Sequence, residues 1–197
     1  MEFKERNMSK QIRIGLFGFG VVGNGLHDLL NQTKTREITI DTIVVKNPDK
    51  ERSISKEKFS FDPRAILDNP RINVVVELIN DSEAAYLLVK EALSKGKNVV
   101  SANKKMIATQ LDELILIAKA NQVSFLYEAA VAGAIPIIRN LEEYYNSDTL
   151  SAVQGIVNGT TNYILTKTNT GMHYSDALEE AQRLGFAEKD PRLDVEG

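Results

Sequence analysis

The residues with the clearest capacity for chemistry form a glycine-rich turn near the start of the chain. Gly18, Gly20 and Gly23 are spaced as G-x-G-x-x-G, directly after the apolar run at residues 12–17. Between a strand and a helix, the first glycine permits a tight turn, the second lets the backbone approach a pyrophosphate, and the third allows close helix–sheet packing. The helix N-terminus then offers free N–H groups to the phosphates. The pattern favours a dinucleotide site over its alternative, a glycine-rich turn without nucleotide.

The end of the second predicted strand bears on which dinucleotide would bind. Many NAD sites place an acidic residue there to hold the ribose hydroxyls. In this chain the strand ends at Lys46, and Asp41 lies in mid-strand. Lys46, Lys50 and Arg52 could instead meet a 2′-phosphate, which favours NADP while leaving NAD possible. A solvated basic loop is the alternative interpretation of these residues.

Three later segments carry polar residues at predicted strand ends and in the loops that follow them, where functional side chains are expected. Residues 99–105, "VVSANKK", put Lys104 just past a strand, where it could reach a carboxylate or a carbonyl. Residues 127–136 set Glu128 beside small residues that permit close backbone approach. Residues 155–165, "GIVNGTTNYIL", form the third segment, which "LGFAEKDPRLDVEG" follows further along the chain.

Alternating apolar and amphipathic segments predict the elements that position these residues. Strands are expected at residues 12–17, 38–45, 74–79, 98–100 and 123–126. Helices are expected from residue 21, from a cap at Ser82, and over residues 111–120. Alternation of this kind is typical of βαβ units, so we predict an α/β fold with a Rossmann-like, doubly wound parallel sheet.

The pattern changes after Tyr127, where small residues and glycine become frequent. It predicts a helix from Pro136 to about residue 145, a strand at 150–157 and a helix at 175–184. We therefore divide the chain into a leader, a dinucleotide-binding domain and the incomplete beginning of an α+β substrate domain, at residues 1–10, 11–146 and 147–197.

Composition narrows the functional classes. The chain has 197 residues, of which 43% are hydrophobic, enough for one full core or for one domain and part of another. A net charge of -3 means that the chain lacks the overall positive charge typical of proteins that bind nucleic acid. No apolar run approaches the roughly 20 residues of a membrane span, and the N-terminal segment lacks a signal-peptide core. Without cysteine there is no disulfide, thiolate ligand or cysteine nucleophile. We expect a cytoplasmic protein with neither nucleic acid nor membrane as partner.

Five segments, taken in order, resemble homoserine dehydrogenase. They are "GFGVVG", "VVSANKKMIA", "YEAAVAGAIPII", "VNGTTNYIL" and "LGFAEKDP", and the resemblance covers nearly the whole chain from about residue 12. Other Rossmann dehydrogenases of amino-acid metabolism do not carry the "NGTTNYIL" block. The resemblance implies an oxidoreductase of threonine and methionine biosynthesis that interconverts aspartate 4-semialdehyde and homoserine with NAD(P). It also implies a small-molecule substrate and a homodimer in the full-length form.

The same resemblance assigns site residues. Together with Lys46 from the strand end, the expected cofactor site consists of Gly18, Phe19, Gly20, Val21, Val22, Gly23, Lys46, Asn80, Ser101, Lys104 and Gly185. The expected substrate site consists of Lys104, Asn158, Gly159, Thr160 and Glu188. Lys104 would be the catalytic residue of this chain, holding a substrate carboxylate or assisting proton transfer.

A monovalent cation such as sodium is also implied by the resemblance. Glu128 and the backbone carbonyls of Val131, Gly133 and Ile135 would hold it, in keeping with the preference of hard cations for oxygen. The family often has glycine where this chain has Ala132. The alternative for Glu128 is an acid paired with a nearby base.

The family's pattern continues beyond the last residue of this sequence, Gly197. An aspartate and the lysine usually assigned as general acid or base come later in that pattern. We therefore expect this chain to bind cofactor but to turn over substrate poorly, by a factor on the order of 10²–10⁴. A nucleotide-binding module without catalysis is the alternative.

Overall fold

The computed structural model describes residues 11–33, 37–133, 135–145, 149–155, 158–187 and 191. The chain divides into two compact units, residues 1–127 and 128–197, and each is described by itself. The predicted leader and the predicted domain boundary at residue 146 lie outside the described residues, so both stay predictions.

The first unit is built on a six-stranded sheet in which all paired strands are parallel, in the order β3-β2-β1-β4-β5-β6. The strands are β1 Ile12–Phe17, β2 Ile38–Val44, β3 Phe59–Ser60, β4 Val74–Glu77, β5 Asn98–Ser101 and β6 Phe125–Leu126. The helices are α1 Val21–Thr33, α2 Arg64–Leu67, α3 Ser82–Ser94 and α4 Lys104–Ala120. Strands β2 and β3 lie on one side of β1 and strands β4 to β6 on the other, so the strand order reverses between β1 and β4. This is the doubly wound order, and the predicted Rossmann-like α/β fold is confirmed.

The core of this unit explains its sequence pattern. Strands that are covered on both faces are apolar almost throughout, and β1 and β4 bury most of their residues. Leu16 and Val75 have no exposed surface. Helix α3 packs through Ala85, Val89 and Leu93, which recur at the four-residue spacing of one helix face.

Three local features differ from the predictions, and side-chain caps explain two of them. Helix α4 begins at Lys104, seven positions before the predicted start, because the Asn103 side chain accepts the Met106 N–H at 2.9 Å. The cap of α3 is Asp81 and not Ser82; its carboxylate accepts the N–H groups of the second and third helical residues. The connection at residues 47–73 contains β3 and α2, which are too short to show periodicity.

All regular structure in the described part of the second unit is helical. Helix α5, Ile137–Arg139, continues as a π-helical turn over Asn140–Tyr144, and α6 Gly159–Asn169 packs on α7 Tyr174–Leu184 around Ile164, Ala177 and Ala181. The predicted strand at 150–157 is not found: residues 149–155 have no regular structure, and 156–157 lie outside the described residues. An isolated strand leaves its backbone groups unpaired, and no other described segment of this unit forms a strand.

Two features are absent from the described part of the chain. None of its helices combines the length and the apolar composition that crossing a bilayer requires. Its His, Asp and Glu side chains form no group of three or more that could hold a metal ion. A cation site made mainly of backbone carbonyls is a different kind of site, and this absence does not bear on it.

Candidate dinucleotide site

Each of the three positions in the first turn has glycine in a different structural setting. Gly18 has φ +94°, and a Cβ on it would lie 2.6 Å from the Leu78 carbonyl oxygen. A Cβ on Gly23 would lie 2.6 Å from the Gly18 carbonyl oxygen, so this glycine lets α1 pack closely on the turn. A Cβ on Gly20 would meet nothing within 4 Å. Gly18 and Gly23 are therefore needed by the fold, whereas Gly20 borders open space.

That open space belongs to a cavity of about 560 Å³ beside the turn, at the carboxyl edge of the sheet. Its walls come from the loops after β1, β2 and β4, from the segment after β3 and from α3. It therefore lies where the strand order reverses. Five of the predicted cofactor residues line it together: Gly18, Phe19, Gly20, Lys46 and Asn80. A crevice at this position is where open α/β sheets bind their ligands.

Other predicted cofactor residues of this unit do not line the cavity. Val21 and Val22 begin α1, where they are 76% and 61% exposed. Ser101 has no exposed surface and does not line the cavity. Phe19 lines the cavity but is also a core residue, with its ring 5.2 Å from that of Phe59. Direct contact of Val21, Val22 and Ser101 with a cofactor stays a prediction.

The basic loop after β2 is held in place by Arg52. Its Nη1 donates to the Lys50 carbonyl at 2.8 Å and its Nη2 to the Asn47 carbonyl at 2.7 Å. Its guanidinium lies 5.0 Å from the centre of the Phe59 ring. Lys46 and Lys50 are exposed and line the cavity. Arg52 therefore shapes the loop, and it lines the cavity together with the two lysines.

No carboxylate from β2 reaches this cavity. Asp41, the one acidic residue of that strand, accepts a charged hydrogen bond from Arg13 at 3.0 Å and another from Thr39 at 3.0 Å. It borders a different and larger cavity of about 840 Å³ beside α1, β2 and β3, which contains no part of the glycine turn. The smaller cavity, with its turn and its lysines, is the better dinucleotide site despite its size.

A buried acid, Glu77, was missed by the sequence analysis. It ends β4 with no exposed surface, and burial raises the pKa of its carboxyl. Ser101 Oγ donates to its Oε2 at 2.5 Å, and the Ile79 N–H donates to its Oε1 at 2.7 Å. The available signal was an acidic residue inside the apolar run "VVVELI", where a charge is costly unless it is hydrogen-bonded.

Lys104 is the first residue of α4, where its side chain is exposed. Lys105 follows it, and the first turn of this helix has no acidic residue. Cations at the positive end of a helix dipole are unfavourable by roughly 0.3–1 kcal/mol each. Helix stability therefore does not explain this pair, and a role for Lys104 in holding a substrate carboxylate stays a prediction.

In the second unit, the "NGTT" and "LGF" segments lie side by side. Asn158 caps α6 by accepting the Thr161 N–H at 3.0 Å, and the buried Thr160 hydroxyl donates to the Phe186 carbonyl. Gly185 ends α7 with φ +81°. The predicted residues Asn158, Gly159, Thr160 and Gly185 are thereby brought to one end of the helix pair. Glu188 lies outside the described residues.

The predicted cation turn has a clear structural role of its own. The Glu128 carboxylate accepts the Ile138 N–H at 3.0 Å and the Arg139 N–H at 2.9 Å. Ala132 and Gly133 have φ +55° and φ +59°. The left-handed backbone at Ala132 explains why glycine suits that position. Cation binding by Glu128, Val131, Gly133 and Ile135 stays a prediction.

Comparison with known proteins gives the family. A family model described as "Homoserine dehydrogenase, NAD binding domain" matches residues 18–128, more than half of the chain. A second model, described as "Homoserine dehydrogenase", matches residues 136–197. The chain belongs to the homoserine dehydrogenase family. The resemblance found in the sequence is thereby confirmed, and the site described above lies in the part that matches the family's NAD-binding domain.

Individual relatives agree with this assignment. The chain is 41% identical to homoserine dehydrogenase of Bacillus subtilis, over 95% of this chain and 46% of the relative. It superposes on a homoserine dehydrogenase structure from Thiobacillus denitrificans with a TM-score of 0.80 at 39% identity, over 93% of this chain and 45% of the other. It superposes on the structure of a hyperthermophilic archaeal homoserine dehydrogenase in complex with NADPH with a TM-score of 0.76 at 29% identity, over 94% of this chain and 65% of the other. The chain spans about half the length of the curated relatives it matches.

Proposed function

We propose that the first unit binds NADP in the cavity beside the glycine turn, with NAD as the weaker ligand. The observation that carries this proposal is the open face of Gly20 at the strand-order reversal, flanked by the exposed Lys46 and Lys50. The pyrophosphate would lie against Gly20 and the first N–H groups of α1, which have no partner within the helix. The lysines would meet the 2′-phosphate, and no acid of β2 competes for that position.

We further propose that the chain contributes to the reversible reduction of aspartate 4-semialdehyde to homoserine. The cofactor, when bound, supplies or accepts the hydride. Lys104 would hold the substrate carboxylate or assist proton transfer at the substrate oxygen. Asn158, Gly159, Thr160 and Glu188 would complete the substrate site, and Gly185 would contact the cofactor.

The other parts of the proposal rest on family membership. A monovalent cation such as sodium would bind the turn at residues 128–135, the full-length protein would be a homodimer, and its location would be cytoplasmic. In the described structure both Glu128 oxygens accept backbone N–H groups, so the carboxylate would bridge the helix start and the ion. Hard cations accept such oxygen ligands.

A turnover assay tests the catalytic part. Oxidation of NADPH would be followed at 340 nm with aspartate 4-semialdehyde, using this chain and a longer form that includes the region its relatives have beyond the match. Oxidation that depends on the aldehyde and is lost on Lys104→Met would support the proposal. Tight binding of NADPH without turnover by either form would favour a nucleotide-binding module instead.

A further inference from the structure

The strongest unexplained feature is the buried carboxyl of Glu77. It has no exposed surface, and no lysine or arginine among the described residues forms an ion pair with it. Burial of a carboxyl group without a cationic partner is costly, and an apolar residue of similar size would avoid that cost. The contacts of this carboxyl therefore call for an explanation other than core stability.

Those contacts join two loops of the site. One carboxyl oxygen accepts the Ile79 N–H, and the other accepts the Ser101 hydroxyl. The Ser101 oxygen in turn accepts the Asn103 N–H at 3.1 Å, and the Asn103 side chain donates to the Ile79 carbonyl at 2.9 Å. The loop after β4 and the loop after β5 are thus tied to each other in a closed ring of hydrogen bonds.

Each of these loops delivers one predicted functional residue. Asn80 directly follows Ile79 and lines the cavity. Lys104 directly follows Asn103, whose side chain also caps α4. Strands β4 and β5 lie on the opposite side of β1 from β2, which carries the basic loop. A dinucleotide whose 2′-phosphate meets that basic loop therefore extends its nicotinamide toward β4 and β5.

We propose that Glu77 is a positioning residue for the nicotinamide half of the cofactor, acting through Ser101 and Ile79 without touching the ligand. This proposal rests on the proposed binding of NADP. The carboxyl fixes the Ile79–Asn80 backbone and the start of α4, so that Asn80 and Lys104 are in place before the ligand arrives. Preorganisation of this kind raises affinity because less ordering is required on binding.

The test compares two ligands on this chain by calorimetry. NADPH contains the nicotinamide, whereas 2′-phospho-ADP-ribose keeps the phosphates and adenosine but lacks it. Glu77→Leu, which removes both hydrogen bonds, is expected to weaken NADPH about ten-fold while changing the affinity for 2′-phospho-ADP-ribose less than about two-fold. Glu77→Gln keeps an acceptor for Ile79 and can donate to Ser101, so it should recover NADPH affinity to within about three-fold of wild type.

Two further variants keep the test decisive. Ser101→Ala removes two bonds of the ring, the one to Glu77 and the one from the Asn103 N–H, at little cost in volume. It should therefore show the same ligand difference if Glu77→Leu fails to fold. Lys97→Met is the matched control: Lys97 is also buried, but its ammonium donates to the Asn69 and Ile72 carbonyls at the opposite edge of the sheet. Lys97→Met should lower the urea midpoint of unfolding and leave both affinities unchanged.

The outcomes separate this proposal from the proposed function. If the wild type binds both ligands and Glu77→Leu and Ser101→Ala leave NADPH affinity unchanged, the Glu77 proposal is wrong and NADP binding stands. Equal weakening of both ligands would also overturn it, because the residue would then act on the whole fold. If the wild type binds neither ligand, the proposed function fails, and the positioning role fails with it.

Discussion

The glycine turn allows a prediction in which stability and cofactor affinity separate. Gly18 and Gly20 are two residues apart, yet alanine at Gly18 should lower the stability of the protein, whereas alanine at Gly20 should lower its affinity for the cofactor. At Gly18 an alanine would adopt φ +94° with its Cβ 2.6 Å from the Leu78 carbonyl oxygen. The backbone penalty of about 1–2 kcal/mol and the overpacking penalty of about 1–3 kcal/mol together predict a loss of roughly 2–5 kcal/mol.

At Gly20 the same substitution meets no protein atom within 4 Å, and φ is not positive. Because Gly20 precedes the first residue of α1, alanine there should change stability by no more than about 1 kcal/mol. Its methyl group would instead project toward the expected pyrophosphate. An overpacking cost of about 1–3 kcal/mol in the complex corresponds to roughly 5–150-fold weaker NADPH binding.

Thermal unfolding and NADPH titration of both variants check this prediction. Gly18→Ala should move the thermal midpoint down by about 10 °C, while Gly20→Ala should stay near wild type. A Gly20→Ala protein that binds NADPH as tightly as wild type would refute the placement of the pyrophosphate. A Gly20→Ala protein as unstable as Gly18→Ala would refute the geometry of the turn.

Three other predictions concern separate features. Lys46→Ala should weaken NADPH about ten-fold and leave NADH within about two-fold, as measured by calorimetry, because only NADPH carries the 2′-phosphate; equal losses would contradict the role of the loop. Burial raises the pKa of Glu77 above the ordinary value of 4.5, so the folded state holds a proton that the unfolded state releases. The free energy of unfolding of wild type, measured relative to that of Glu77→Gln, should therefore fall as the pH rises above 4.5. Urea titrations across pH 4–8 measure this, and a difference that rises with pH would be inconsistent with it. Ala132→Gly should stabilise the second unit by about 1 kcal/mol, because the residue has φ +55°; no change in its unfolding midpoint would argue against strain there.

The parts of the fold that could be predicted from sequence are those with local causes. Strand β1 has the predicted limits because its apolar run is bounded by polar residues and the glycine turn. The turn itself was predictable, since Gly18 has a positive φ and a Cβ on Gly23 would meet the Gly18 carbonyl oxygen five residues earlier. Lys46 was predictable as a cavity residue because strand ends in a parallel sheet share one edge.

The parts that could not be predicted depend on contacts between distant segments. Glu77 accepts a hydrogen bond from Ser101, 24 residues later, and neither local sequence indicates that the other residue is its partner. The predicted strand at 150–157 failed because a strand requires a neighbour that apolar pattern alone does not identify. The early start of α4 was missed because Asn103 sets it by a cap, whereas periodicity becomes visible only further along the helix.

The central claim is that the first unit binds NADP at the glycine turn. Calorimetric titration of this chain with NADPH and with NADH tests it most directly. We expect one site per chain, with NADPH bound about ten-fold more tightly than NADH and the preference lost on Lys46→Ala. Absence of binding by either ligand would contradict the dinucleotide site. Binding of NADH ten-fold more tightly than NADPH would contradict the role assigned to the basic loop.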